Sequence, residues 1–490
     1  MNEEAINQDE RSSRRALGVH LTSVELFLEH IFPEIENILE KYIWVDLYCG
    51  EGNLILPILN HIPEDKRVDF FQSQIFMYDI QNEMVNKCIQ NAVSYGIPKE
   101  IASKNIMRRD NLDSYPDELK SKSLPIFHIT NPPYLYLGYI RKHKETKIHF
   151  KYFEGENDGF QDLYQIAMIN DLRNGVNNLI YIIPSNFLFG ASVSNKFRLE
   201  FLAYYKINKM IIFETKVFKF TGTNICIGFF KKKVRPKEET LKFRAIKVKK
   251  NNRILERDYV LNPKWKYHAG TEFDDFTHNF KSTKPLNVKY YLLNKDIEEN
   301  SGSHLIEVID TNVYQSNSYK KEILYVNENL KKKVQSNLLY VRTVDTGSLD
   351  GKAGLYEIKK GFSVDGIYVS KATYRTSPIQ LFFDPMISME DQLLLKDYFN
   401  FILKYFRKKL DSEFLTTYKY SDAEYTRKYL GLTQVRKIIE TFPILNLNIE
   451  EKKKLKELIV KRSFSDIVDF IQYPKEREKK EKLRNLTNWM

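Results

Sequence analysis

The sequence predicts an α/β protein in two parts, a doubly wound, mostly parallel sheet followed by a mixed α/β, basic second domain. Three observations carry this expectation. Short apolar runs alternate with helix-patterned stretches through the first half, positive charge gathers in the second half, and a proline-bearing basic run divides them. At 490 residues the chain also exceeds one ordinary domain of about 150 residues.

Taken in order, Ile43–Leu47, Ile75–Tyr78, Ile126–Thr130, Leu179–Ile183, Met210–Phe213 and Ile225–Phe230 are apolar without alternation, as strands buried on both faces are. Val24–Leu39, Asn82–Tyr95 and Asp162–Leu172 carry apolar residues at helical spacing between them. The run Lys231–Lys237 (KKKVRPK) ends this region, so the boundary is expected near residue 235, giving domains 1–235 and 236–490. Beyond it the chain is dense in Tyr, Asn and Gly. Asp345–Gly354 reads as a glycine-rich loop, Asp391–Phe406 as an amphipathic helix, and the stretch from Glu450 to Met490 as a charged helical tail.

Composition removes several classes. With 42% hydrophobic and 29% charged residues, the chain can bury a core. No run of about 18 apolar residues exists to span a membrane, and the first residues lack an apolar secretory segment. Three cysteines, Cys49, Cys88 and Cys226, stand far apart without CxxC spacing, which argues against a disulfide framework or a thiolate zinc site and fits a reducing cytoplasm. The net charge of +12 is uneven: residues 1–240 carry 30 Lys+Arg against 31 Asp+Glu, and residues 241–490 carry 46 against 33. Such a basic half fits a polyanion, although a solvated Lys-rich surface would look the same.

Four constellations carry chemistry. In Val45–Leu54 (VDLYCGEGNL) a strand ends at Asp46, and Gly50 and Gly52 let the chain turn close to a ligand; a tight turn without a ligand uses the same residues. Asp79 ends the second strand, where a carboxylate can accept both hydroxyls of a ribose. Asp110 follows the third strand and can accept from an adenine amine. Each Asp alone is more often a helix cap or a solvated turn, but three at consecutive strand ends suggest one shared adenosine-bearing ligand. After the fourth strand, Asn131, Pro132, Pro133 and Tyr134 form NPPY. The prolines fix the backbone and donate nothing, so the Asn131 side-chain oxygen and the Pro132 carbonyl can accept the two protons of one exocyclic amine, and Tyr134 offers a ring face to a base.

In this order the motifs resemble an S-adenosylmethionine-dependent DNA adenine-N6 methyltransferase of the NPPY type, whose cofactor motifs precede its target-recognition domain. The likeness runs over about residues 17–230, from Gly18–Ser23 (GVHLTS) through NPPY to Val217–Phe230 (VFKFTGTNICIGFF). It implies a Rossmann-like methyltransferase domain, with Thr22 at the cofactor's carboxylate end and Asp46, Gly50 and Gly52 around its methionine part. It gives Asp79 to the ribose, Ile80 to the adenine face and Asp110 to the adenine amine. Phe218 would stack on the second side of the target base. Ser23 stands where the family has proline, and the long gap between Gly52 and Asp79 suggests that Glu64–Gln74 is an inserted loop.

The resemblance implies methyl transfer to a flipped adenine in double-stranded DNA, with no metal, beside a separate restriction endonuclease in a restriction–modification system. The basic half would be the DNA-recognition domain, with Lys371, Arg375, Lys419, Arg427, Lys428 and Arg436 as candidates for phosphate contact. NPPY also serves enzymes that methylate RNA bases or protein glutamine, but those usually lack a large basic second domain. From another class stand a metal-dependent nuclease and a pure DNA-binding module; Asp350 with Glu357-Ile358-Lys359 formally fits the D…ExK pattern of metal nucleases, which arises easily by chance in a Lys-rich chain. Seventeen residues precede Gly18, so no nuclease domain is expected ahead of the methyltransferase.

Overall fold

A computed structural model describes residues 22–190, 192–218, 222–249, 253–315, 317–345, 352–371, 377–419 and 427–472. It has two compact units, one reaching to Ala269 and the other beginning at Gly270. The first unit is built on a sheet of nine described strands: β1 Ile43–Asp46, β2 Ile75–Asp79, β3 Ile106–Arg108, β4 Ile126–Thr130, β5 Asn178–Pro184, β6 Tyr205–Phe213, β7 Ile225–Lys232, β8 Leu241–Lys249 and β9 Arg253–Leu261. Their order is β3-β2-β1-β4-β5-β7-β6-β8-β9. Strands β1 to β5 are mutually parallel, and β7 runs antiparallel between β5 and β6. This is the α/β class that the apolar runs predict.

Burial explains why these runs are strands. Every residue of β1 and of β2 is buried, so a continuous apolar run costs no exposed surface. Trp44 stacks on Phe127 of neighbouring β4 with ring centroids 5.2 Å apart, and its indole N–H donates to the Leu39 carbonyl at 2.8 Å. Register aligns the two strand ends that matter: Asp46 lies opposite Met77, and Val45 lies opposite both Phe76 and His128.

Two local expectations need correction. Val24–Leu39 is not one helix: helix α1 covers Val24–His30, and tight 3-10 turns follow at Phe32–Glu34 and Glu36–Lys41. Pro33 has no N–H to donate back, and its ring would clash with the carbonyl four residues earlier, so the helix stops before it. Glu64–Gln74 is not a loop but a 3-10 turn, Glu64–Lys66, leading into helix α2, Arg67–Gln74, which buries Phe70 and Phe71. The Asn105 amide closes the end of α2 by donating to the carbonyls of Phe71, Gln72 and Ile75 at 2.8–3.0 Å. Helices Asn82–Ser94 and Leu163–Arg173 stand close to their expected bounds.

The boundary also lies later than residue 235. Strands β8 and β9 continue the sheet, β8 pairing parallel with β6 and β9 antiparallel with β8. Residues 241–269 carry nine Lys+Arg against two Asp+Glu, so about half of the basic excess assigned to the second half belongs to the first unit. The second unit holds two four-stranded sheets, and helix Met389–Lys409 buries Leu394, Leu395, Phe399, Ile402 and Phe406 along one face, as the amphipathic pattern predicts. Of the tail, Ile449–Lys461 is helical, and residues 473–490 lie outside the described residues, as does most of the glycine-rich loop.

Candidate active site

The chain leaves β1 at Asp46 and turns sharply through Gly50 and Gly52, both at positive φ. At Gly52, with φ +86°, a Cβ would lie 2.7 Å from Leu56 Cδ1 and 2.8 Å from Cys88 Sγ, so only glycine fits. The turn is held from several sides. The Gly50 N–H donates to Asp79 Oδ2 at 3.0 Å, and the Cys49 N–H to the Tyr78 carbonyl at 2.8 Å. The residue after Asp46 is pinned at both backbone groups: Leu47 N–H donates to His128 Nε2 at 3.2 Å, and its carbonyl accepts from Asn111 Nδ2 at 2.6 Å. Behind His128, Asp171 accepts at 2.5 Å from its Nδ1 and from the Tyr181 hydroxyl.

This turn walls a cavity of about 330 Å³ at the carboxyl ends of the strands. Thr22, Asp46, Gly50, Asp79, Ile80, Asp110, Asn131 and Pro132 all line it, so eight of the residues singled out in the sequence share one space. Gly52 shapes the turn from behind. Tyr134 and Phe218 are buried and lie outside the lining. The Tyr134 hydroxyl stands between the Asn131 side-chain oxygen and the Ile182 carbonyl, 2.6 Å from the latter, and its ring meets Tyr164 edge-on.

The polar groups differ in how fully they are engaged. Asp46 is 1% exposed; its Oδ1 accepts from Thr130 Oγ1 at 2.5 Å and from the Tyr48 N–H at 3.0 Å, while buried Oδ2 has no hydrogen-bond partner among the described residues. Burial pushes its carboxyl up to about 6, with the Thr130 hydrogen bond pulling the other way. Burial also raises Asp79, against the amide donors of Gln81 and Gly50. Asn131 Nδ2 donates to Thr22 Oγ1 at 2.9 Å, tying the fourth strand end to the segment before α1. Ile80 is an apolar side chain left 45% exposed on the cavity wall.

Sequence reasoning missed part of the wall. A 3-10 segment, Lys144–Phe153, brings His149, Lys151 and Tyr152 to the cavity, and the Tyr152 hydroxyl donates to Asp110 Oδ2 at 2.7 Å. Its one sequence signal is the interleaving of basic and aromatic residues in KIHFKYF, just after NPPY. Tyr48, Asn53 and Leu163 also line the space, and Asn53 Nδ2 donates to the Thr22 carbonyl at 2.9 Å.

A ligand of adenosine type carrying an amino-acid end fits these groups. The unpartnered buried oxygen of Asp46 suits an ammonium, the exposed Ile80 suits a base face, and the Asp79 and Asp110 carboxylates lie on the same wall.

In the second unit the phosphate candidates divide. Lys371, Arg427 and Arg436 are exposed, with Arg436 over the Tyr290 ring. Lys428 is buried, its ammonium donating to the Asp411 carbonyl at 2.9 Å, so it cannot reach a phosphate. Arg375 and the Lys419 side chain lie outside the described residues, as does Asp350 of the nuclease pattern. Glu357 of that pattern already pairs with Lys360 and Lys396 at 2.8 and 2.7 Å. No helix among the described residues is long and apolar enough to cross a membrane.

A family model described as N-6 DNA Methylase matches residues 24–295, more than half of the chain. No curated protein sequence gives a significant match. Among solved structures, the chain is similar to the Type IIL restriction-modification enzyme MmeI in complex with DNA. The two are 13% identical over 94% of this chain and 76% of that one, with a TM-score of 0.51, which supports the fold. It is also similar to a modification subunit attributed to a type I restriction enzyme from Vibrio vulnificus YJ016, at 13% identity over 72% of this chain and 62% of that one, TM-score 0.34. A type I restriction-modification methyltransferase subunit from Streptococcus thermophilus is 16% identical over 51% of this chain and 58% of its own, TM-score 0.30. The chain therefore spans less than two thirds of either subunit.

Proposed function

The chain belongs to the N-6 DNA methylase family, and from that premise we propose that it transfers a methyl group from S-adenosyl-L-methionine to the exocyclic amine of adenine in double-stranded DNA, as the modification enzyme of a restriction–modification system. The observation that carries this reading is the convergence of Asp46, Asp79, Asp110 and Asn131-Pro132, from four successive strand ends, on one cavity.

When bound, S-adenosylmethionine supplies a methyl group on a positively charged sulfur. The protein's part is to hold and orient. Asp46 takes the cofactor's ammonium with its open oxygen, Asp79 accepts from the ribose, Ile80 packs on the adenine, and Asp110 accepts from the adenine amine. Thr22 faces the carboxylate end. The target adenine must leave the duplex, because its amine is otherwise paired. Asn131 Oδ1 and the Pro132 carbonyl then accept its two protons, which orients the nitrogen lone pair along the line of transfer. Asn131 Oδ1 accepts from the Tyr134 hydroxyl and has a second lone pair for the base, and the Tyr134 ring can stack on the base with Phe218 opposite. The surplus proton leaves to solvent.

The second unit serves DNA recognition in this reading, with Lys371, Arg427 and Arg436 as exposed phosphate contacts, and a separate endonuclease acts at the same site. The test is label transfer from tritiated S-adenosylmethionine to mixed-sequence DNA without added metal, followed by nucleoside analysis. Label is expected in N6-methyl-2′-deoxyadenosine, falling at least about 100-fold in Asn131→Ala. Label found in RNA or protein instead would overturn the substrate and leave the fold.

A further inference from the structure

Asp110 is held by a part of the chain that no motif covers. Its Oδ2 accepts from the Tyr152 hydroxyl at 2.7 Å and from Lys151 Nζ at 3.2 Å. Its Oδ1 accepts nothing among the described residues, although the residue lines the cavity together with both partners and Ile80. A carboxylate turns readily about its last bond, so an unclamped Asp110 would present either oxygen in a range of orientations. Two donors on one oxygen remove that freedom and leave the other as a fixed acceptor.

We propose that Tyr152, seconded by Lys151, is a positioning residue that sets Asp110 to select a cofactor base bearing an exocyclic amine over one bearing a carbonyl at the same place. This rests on the reading of the cavity as an S-adenosylmethionine site. Tyr152 suits this role because burial and its hydrogen bond to Asp110 push its ionisation well above the ordinary phenol range, so it remains a donor throughout the working pH range. Lys151 is more than half exposed, reaches Asp113 as well at 3.8 Å, and lies over the Tyr152 ring at 4.7 Å. Its contribution is screened by water and is the smaller of the two. A fixed acceptor rejects a carbonyl twice over, by losing a hydrogen bond and by opposing two oxygens.

The test measures binding of S-adenosylhomocysteine and S-inosylhomocysteine to the full chain by calorimetry. The wild type should prefer the amine-bearing ligand by about 100-fold, one charge-assisted hydrogen bond and the avoided repulsion together. In Tyr152→Phe the preference should shrink about tenfold, through weaker binding of S-adenosylhomocysteine alone, while Lys151→Met should change it less than about threefold. A wild type without preference would sink the adenosine reading of the cavity and this inference with it. A discriminating wild type whose ratio is unchanged in Tyr152→Phe, including one in which both ligands weaken equally, would overturn the role of Tyr152 alone.

Discussion

Asp46→Asn should make the ligand-free protein more stable at neutral pH while depriving it of cofactor. In the folded chain the carboxyl lies near 6, against an ordinary value of 3.8, because burial outweighs the hydrogen bonds from Thr130 and Tyr48. A folded-state value above the unfolded one means that the folded protein holds the proton more tightly. The associated stability is present in full below pH 3.8 and is lost as pH rises through about 6. For a carboxyl 1% exposed, that displacement amounts to at most about 3 kcal/mol. Asparagine keeps an oxygen for Thr130 Oγ1 and the Tyr48 N–H and carries no charge, so its stability should not fall over that window. Denaturant unfolding of both proteins across the window, followed by calorimetry with S-adenosylhomocysteine, measures the two effects. At neutral pH the variant should gain up to about 3 kcal/mol and lose at least tenfold in affinity, and wild-type affinity should weaken as pH drops below 6. Parallel stability curves from about pH 4 to 7.5 would refute the idea that Asp46 is buried as a charge awaiting a cation.

Two further expectations concern the scaffold. Gly52→Ala must accept both a positive φ and contacts under 3 Å with Leu56 and Cys88, which should cost about 2–4 kcal/mol in unfolding and raise the KM for S-adenosylmethionine severalfold. Asn105→Ala removes the side-chain donor from three carbonyls at the end of α2, of which that of Phe71 keeps the Ile75 N–H, so it should cost about 1–3 kcal/mol in denaturant unfolding and leave that KM unchanged at a permissive temperature.

The sheet and half of the cavity wall are legible in the sequence for the same reason. Strands buried on both faces are apolar throughout, and strand ends that meet a ligand carry residues unlike their surroundings, so Asp46, Asp79 and Asn131 stand out against Ile43–Val45, Ile75–Tyr78 and Ile126–Thr130. What is not legible depends on partners far along the chain. Tyr152 acquires its meaning from Asp110, forty-two residues earlier, and nothing local in KETKIHFKYF announces the pair. Helix α2 escapes because eight residues with two adjacent phenylalanines show no helical stripe. Strands β8 and β9 escape because their exposed positions are charged and read as a basic surface, whereas their buried alternate residues, such as Phe243, Ala245, Tyr259 and Leu261, are what join them to the sheet. Family order puts the Tyr134 ring on the cavity wall, whereas the structure has its hydroxyl turned inward to the Ile182 carbonyl.

The two strands that extend the sheet beyond β6 also decide where the chain can be divided. Strand β6 ends in the apolar run Met210–Phe213, whose outward backbone groups are satisfied by β8. A fragment stopped near residue 235 would bare that run as an open sheet edge, a template for pairing with other chains. The outermost strand, β9, is a safer margin: Arg253, Glu256, Arg257 and Asp258 crowd it with charge of both signs, and Arg244 on β8 pairs with Glu256 and Asp258. Besides any attraction for a polyanion, the charges of this hairpin therefore keep the molecule from adding to itself.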